Sequence, residues 1–312
     1  MRRAFSSCSR TATSWWWSSV LLLACSSDKS SPPLAGVTLE NDGGLSESGA
    51  EDTFVPPIDA PIDTGPKYGY MPGRKITVGV VDRTYAFSVP EKWDGMKEYP
   101  LVFVFHGDGG NGDWMHGYMG LETVSNEGAV FVYPDGQNAT WDLDSEPPDN
   151  ADIAFFDALV TEMKQKWKID STKIFATGYS SGGYFTNQLG CRRGTVIRAV
   201  ASHESGGPYG PSSMYDNQGH LVCPEPAVAS LATHSTDDDV VAVTEGYKTR
   251  DHWKWANGCD DTSDPYDPSP CVAFQNCNAG HPVIWCEASG FGHVVWPAQG
   301  SKVTWKFFSS FQ

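Results

Sequence analysis

Apolar and polar positions fall into two alternating periods from about residue 67 onward. Ile76–Val81 and Thr84–Val89 alternate apolar and polar side chains on either side of Asp82-Arg83, which predicts an antiparallel hairpin turning there. Leu101–Phe105 is instead a continuous apolar run, as expected of a strand covered on both faces. Ala129–Tyr133 repeats that signature and is ended by Pro134-Asp135-Gly136. Over 152–168, Ile153, Phe156, Leu159, Val160, Met163 and Trp167 recur at helical spacing. Lys173–Thr177, Val196–Ser202, Ala227–Thr233 and residues 283–287 read as further strands, and Tyr184–Leu189, Glu245–Trp255 and Thr304–Phe311 as helices. Strands alternating with helices predict an α/β domain over 67–312, its doubly wound sheet mostly parallel and covered by helices on both faces.

Residues 1–66 follow neither period. Arg2, Arg3 and Arg10 precede a ten-residue apolar run, Trp15–Ala24, which suits the core of a signal segment and is too short to span a bilayer. The run ends Leu22-Leu23-Ala24-Cys25, which resembles a lipobox, so residues 1–25 read as a lipoprotein-type signal with lipid attached to Cys25. Ser26 after that cysteine resembles outer-membrane sorting in a bacterium; ordinary secretory cleavage is the alternative. Residues 26–66 carry eight acids against one base, Lys29, and abound in Pro, Gly and Ser. Such a stretch buries too little apolar surface to offset chain entropy and reads as a disordered linker.

The whole chain of 312 residues has 22 Lys and Arg against 38 Asp and Glu, a net charge of −16. A chain this acidic repels phosphate backbones, which excludes nucleic acid as a partner. Membrane contact is expected only through Cys25, and a monomer is expected. With Cys8 and Cys25 assigned to export, six cysteines remain, an even number suited to three disulfides in an oxidising compartment.

The sharpest chemical signal is Gly178-Tyr179-Ser180-Ser181-Gly182, directly after one predicted strand and before a predicted helix. This is the G-x-S-x-G elbow in its strand–turn–helix setting: small residues two before and two after the serine let strand and helix close tightly, and the hydroxyl projects above the sheet. The Ser181 amide, at the helix start, then points where a carbonyl oxygen would gain negative charge. A serine needs a base, and the base a carboxylate. In chain order the acid should lie among Asp237, Asp238 and Asp239, beyond the strand 227–233. The base should be His293 in Gly290-Phe291-Gly292-His293, with His281 a weaker rival because it precedes its strand. The Gly-rich loop His106–Gly112 follows the strand 101–105 and offers the amides of Gly107 and Asp108 as the rest of an oxyanion hole. No phosphate-loop pattern and no His-x-x-x-His or Cys-x-x-Cys spacing occurs, and Asp260–Asp267 reads as a solvated loop in preference to a calcium site. No cofactor or metal is expected.

Taken together, VFVFHGDGG (102–110), VFVYPDG (130–136), DIAFFDALV (152–160), ATGYSSGG (176–183), HSTDDDVV (234–241), NGC (257–259), GFGHVVWP (290–297) and TWKFFSSF (304–311) resemble the secreted esterases of the carbohydrate esterase family 1 type. That group joins feruloyl esterases, acetylxylan esterases and polyhydroxybutyrate depolymerases, and the likeness is greatest to feruloyl esterases of types C and D. The resemblance implies an α/β-hydrolase fold and a triad of Ser180, Asp238 and His293, since Asp238 matches the acid of the pattern H-G-T-x-D-x-x-V. It implies the pairings Cys191–Cys223 and Cys259–Cys277, leaving Cys271–Cys286 to close a hairpin over 271–286. Ser235 stands where the family usually has glycine. Feruloyl or related esters of plant cell-wall polysaccharide are the expected substrates, with polyester or acetylxylan as alternatives, and Trp141 and Tyr179 as candidate substrate contacts. For Trp141, partial burial in the core is the equally ordinary role. A catalytically silent carbohydrate-binding lipoprotein is the reading from another class.

Overall fold

The computed structural model describes residues 69–311; the signal segment with Cys25 and the linker 26–66 lie outside the described residues. Within them, ten strands form one sheet in the order β1-β2-β4-β3-β5-β6-β7-β10-β9-β8. These are β1 (Gly69–Val78), β2 (Val81–Val89), β3 (Tyr99–Phe105), β4 (Val130–Pro134), β5 (Ile169–Tyr179), β6 (Ala199–His203), β7 (Ala229–Ser235), β8 (Ser263–Pro265), β9 (Val272–Phe274) and β10 (Val283–Ala288). The six central strands, β4 to β10 in that order, pair in parallel, and antiparallel pairs flank them on both sides.

The continuous apolar run in β3 has a direct cause. Leu101, Phe103 and Phe105 point to one side, into a cluster with Phe156, Leu159, Phe185, Leu189 and Trp253. Val102 and Val104 point to the other, into a cluster with Met115, Met119, Leu121, Val303 and Phe307. Helices α3 (Ala151–Lys166), α4 (Ser181–Arg192) and α5 (Val243–Ala256) thus cover one face, and α1 (Gly112–Met119), α2 (Leu121–Ser125) and α6 (Gly300–Ser309) the other. Both faces are dry, so alternation with polar residues is lost. This is the α/β-hydrolase arrangement.

Three expectations need correction. The first hairpin turns at Gly79-Val80 and not at Asp82-Arg83, because Gly79 supplies the positive φ of 62°. Arg83 instead lies inside β2, where its guanidinium forms a buried ion pair with Asp152 at 2.6 Å and sits 4.2 Å from the Phe155 ring centroid. Second, α1 and α2 went unanticipated within a glycine-rich stretch; Asn111 starts α1 by accepting the Trp114 N–H at 2.8 Å. Third, of the two roles open to Trp141 the structure has core burial and not a place on the surface, at 4 % exposure. Its ring stacks on Phe185 at 5.0 Å, and its indole N–H donates to the His106 carbonyl at 2.8 Å. An indole with one polar atom and a buried acceptor beside it is more stable under the oxyanion loop than exposed above it.

Three disulfides are formed, Cys191–Cys223, Cys259–Cys277 and Cys271–Cys286. The last ties β10 to the residue preceding β9, which braces the strand leading to His293 against the antiparallel edge. Three disulfides in a domain of this size are characteristic of proteins that fold in oxidising compartments.

Two histidines, His203 buried and His252 half-buried, make the fold acid-sensitive. His203, at the end of β6, is wholly buried between the hydroxyls of Thr233 (2.8 Å) and Thr304 (3.0 Å), and burial lowers its pKa to about 4. Burial, helped by nearby His220, does the same to His252. Each contributes stability that is present above the unfolded value of 6.5 and is lost as pH falls toward 4, up to about 3 kcal/mol apiece. The midpoint of thermal unfolding is therefore expected to fall steadily from pH 6.5 to pH 4; a midpoint flat across that window would contradict a depressed pKa at these two rings.

Candidate active site

The parallel strands deliver their C-terminal ends to one edge of the sheet, where ligands bind in such folds. Five loops meet there: 106–111 after β3, Ser180 after β5, Glu204 after β6, 236–242 after β7 and 289–293 after β10.

Ser180 sits at the tip of the elbow with φ 54° and ψ −124°, a conformation L-residues avoid. The turn is tight enough that a Cβ on Gly178 would come within 2.2 Å of the Gly182 carbonyl, and one on Gly182 within 2.4 Å of the carbonyls of Phe105 and His106. The two glycines thus let β5, α4 and β3 touch backbone to backbone. Ser180 N–H donates to His203 O at 3.0 Å, which fixes the turn against β6.

Ser180 Oγ donates to His293 Nε2 at 2.9 Å, and His293 Nδ1–H donates to Asp238 Oδ2 at 2.7 Å. Asp238 is the one aspartate of the three that is buried, at 8 % exposure; Asp237 and Asp239 face solvent. Its Oδ1 accepts the N–H groups of Val240 and Val241, each at 2.9 Å. Burial alone would raise its pKa, but the hydrogen bonds from His293 and these two amides hold it below the usual carboxylate range. The loop carrying His293 is pinned from three sides. Tyr179 O–H donates to the His293 carbonyl at 2.6 Å, Val295 N–H donates to Tyr118 O–H at 2.8 Å, and Gly290 N–H donates to Asp237 at 2.7 Å.

Gly107 lies against the elbow, since a Cβ there would meet the Tyr179 ring at 3.0 Å and Ser180 Cβ at 3.2 Å. The N–H groups of Gly109 and Gly110 are committed to Ala139 O and Gly107 O. Among the described residues, those of Gly107, Asp108 and Ser181 are not spent on backbone partners, and they are the donors left for an oxyanion. His106 beneath them is a neutral linker: Nδ1–H donates to Gly107 O at 2.8 Å, Nε2 accepts the Gly136 N–H at 2.9 Å, and burial lowers its pKa. Thr140 ties down the Asp108 carboxylate at 2.6 Å, leaving the loop amides unobstructed.

Beside this loop opens a cavity of about 280 Å³ lined by residues 107–111, Trp114 and Tyr179. Tyr179 is thus at the site, as the sequence suggested. Trp114 replaces Trp141 as the tryptophan there: it is 46 % exposed and stacks on Tyr118 at 4.5 Å. His281 makes its backbone bond within its own turn, its N–H donating to Asn278 O, and it is His293 that bonds Ser180. The acids of 260–267 engage protein donors, Asp261 with Lys254 and Asp267 with Lys306.

A strained serine linked through histidine to a buried carboxylate, at the sheet edge of an α/β-hydrolase, is an arrangement suited to acyl transfer, and the relatives make the chain a carboxylic ester hydrolase. The comparisons agree. Feruloyl esterase D of Neurospora crassa is 28% identical over 264 residues, covering 77% of this chain and 86% of the relative. Feruloyl esterase C of Emericella nidulans is 30% identical over 242 residues, 72% of this chain and 83% of the relative. The solved acetyl xylan esterase from Aspergillus awamori superposes with a TM-score of 0.58 at 20% identity, over 75% of this chain and 98% of that one. No family profile matches the chain. The chain belongs to the family of the type C and D feruloyl esterases.

Proposed function

We propose that the chain is an exported, lipid-anchored serine esterase that releases feruloyl or related acyl groups from plant cell-wall polysaccharide. The observation that carries this reading is the hydrogen-bonded line Ser180–His293–Asp238 beside a cavity walled by Trp114 and Tyr179. Ser180 Oγ attacks the ester carbonyl as its proton passes to His293 Nε2, and Asp238 holds the Nδ1–H tautomer and balances the imidazolium. The amides of Ser181, Gly107 and Asp108 receive the negative oxygen. His293 then gives its proton to the leaving alcohol, takes one from water, and the hydroxide equivalent releases the acid and restores Ser180. The three disulfides support export, and Cys25 supplies the anchor.

The aromatic acyl group stacks on Trp114 at the cavity beside the loop 107–111. The type C and D names of the relatives support this choice among esters. The test compares ferulate release from methyl ferulate and arabinoxylan with acetate release from acetylxylan and 3-hydroxybutyrate release from its polymer. Ferulate release is expected to dominate. In Trp114→Ala, kcat/KM for methyl ferulate is expected to fall about tenfold with acetyl esters little changed, because only a ring substrate loses the stacking contact. Release of acetate or 3-hydroxybutyrate alone would overturn the substrate and keep the mechanism; equal loss on both esters would place Trp114 outside the acyl site.

A further inference from the structure

Glu204 follows β6 directly and takes no part in the steps above. It has no solvent exposure, and its backbone is held at φ 47°, a left-handed conformation uncommon for a residue with a side chain. Such strain persists where the surroundings over-determine it, and it clusters at functional sites. The Glu204 N–H is spent on Thr233 O at 3.0 Å, and Oε2 accepts the Ser235 N–H at 2.7 Å. Oε1 is buried and receives no hydrogen bond. A buried oxygen with no donor beside it is costly to charge, which favours the neutral acid at this carboxyl.

The surroundings say where that proton goes. One polar atom each from Glu204, His234 and Asp238 lie within 4.8 Å of one another, all buried. Glu204 and Asp238 share that buried cluster, and the Asp238 charge beside it favours a proton on Glu204. Two buried carboxylates side by side cannot both stay charged. Asp238 has the claim to the charge, since it accepts hydrogen bonds from His293 and two backbone amides. No lysine or arginine pairs with Glu204 among the described residues; its one ion-pair neighbour is His234, at 3.9 Å. That ring is itself kept neutral by burial, with Nε2–H donating to Val241 O at 2.9 Å. The other titratable groups facing Glu204 are Asp237, Tyr118 of α1 and Tyr179 of β5, none of them cationic.

We propose that Glu204 is a positioning residue of this site: held as the neutral acid, it donates a hydrogen bond to the Asp238 carboxylate and keeps that carboxylate aimed at His293 Nδ1. The proposal rests on the Ser180–His293–Asp238 reading for its consequence, although the proton on Glu204 can be observed without it. Burial, first, and then the Asp238 charge push the pKa of Glu204 up to about 9, consistent with the geometry. Acting through Asp238, Glu204 affects the rate and not substrate binding.

Two variants and one spectrum test it. Glu204→Gln keeps the shape, the neutrality and a donor; its kcat is expected within about threefold of the parent, with the acid limb of the kcat/KM profile unmoved. Glu204→Ala removes the donor to a charged acceptor, and kcat is expected to fall at least tenfold at nearly constant KM. If Glu204 were instead ionised, Glu204→Gln would delete a negative charge near the imidazole and move the acid limb about one unit to lower pH. That shift, or an unchanged kcat in Glu204→Ala, would overturn the proposal. Infrared spectroscopy of the inactive Ser180→Ala protein at pH 7 should show a buried carboxylic-acid C=O band that disappears on adding Glu204→Gln. Absence of such a band would sink the proposal whether or not the triad reading survives.

Discussion

Ser180→Ala is expected to leave a folded protein whose kcat on methyl ferulate is lower by about six orders of magnitude, the scale seen when a nucleophile that works as one unit with its base is removed. The structure makes this a test of chemistry alone. Ser180 Oγ caps no helix N–H; its one partner is His293 Nε2, so deleting it removes no structural bond. Alanine inherits the same unfavourable φ of 54° and relieves nothing. Glycine would relieve it, and Ser180→Gly is expected to be inactive yet more stable than the parent by about 1 kcal/mol. The measurements are turnover, labelling by a fluorophosphonate, and unfolding midpoints for all three proteins. Turnover by Ser180→Ala within a hundredfold of the parent would remove Ser180 from the mechanism. A Ser180→Gly protein no more stable than Ser180→Ala would show that the elbow stores no strain.

Much of the sheet could be read from the sequence because two of its signals are nearly unambiguous. The runs at Leu101–Phe105 and Val130–Tyr133 are apolar on consecutive residues because helices dry both faces, and no amphipathic surface element imitates them. Asp82-Arg83 resembles a polar hairpin tip in sequence, whereas Arg83 is buried in β2 by virtue of Asp152, 69 residues away. Ion pairs of that separation leave no local trace. The same reason hides α1 and α2: with glycines at 107, 109, 110, 112, 117 and 120, local preference disfavours helix, and packing of Met115 and Met119 under the sheet decides it.

Within the site, position along the fold was more informative than residue type. Ser180, the aspartate cluster and His293 all follow strands, which is where such a sheet presents chemistry. Glu204 follows a strand as well, one residue beyond His203 at the end of β6, but a lone acid there carries no motif that separates it from a solvated turn residue. Trp141 went the other way. It also follows a strand, but its burial depends on Phe185 in α4 and the His106 carbonyl, contacts that only the folded chain brings together. Trp114, three residues beyond the oxyanion loop, could be recognised only once that loop was known to turn directly into a helix.

Asp238→Asn carries the sharpest geometric argument and an expected loss of about 10⁴ in kcat. Asp238 Oδ1 accepts two backbone amides, from Val240 and Val241, while Oδ2 accepts from His293. An asparagine here has one oxygen, and the two amides fix where it goes, because an NH₂ group facing two N–H donors would be left unsatisfied in a buried place. The NH₂ therefore turns toward His293 and requires Nδ1 to accept. The imidazole must then carry its proton on Nε2, the atom that has to take the proton of Ser180. A correctly placed base is thus held in the wrong tautomer, and substrate affinity is expected to change little. Asp237→Asn is the control: Asp237 is exposed, its Oδ1 accepts from Ser235 Oγ and Gly290 N–H, and an amide oxygen can do both. Its kcat is expected within about threefold of the parent, as is that of exposed Asp239→Asn. Steady-state kinetics of the three variants on one ester decides the matter. A large loss at 237 or 239, with 238 nearly silent, would mean that the buried carboxylate beside His293 is not the one that sets its tautomer.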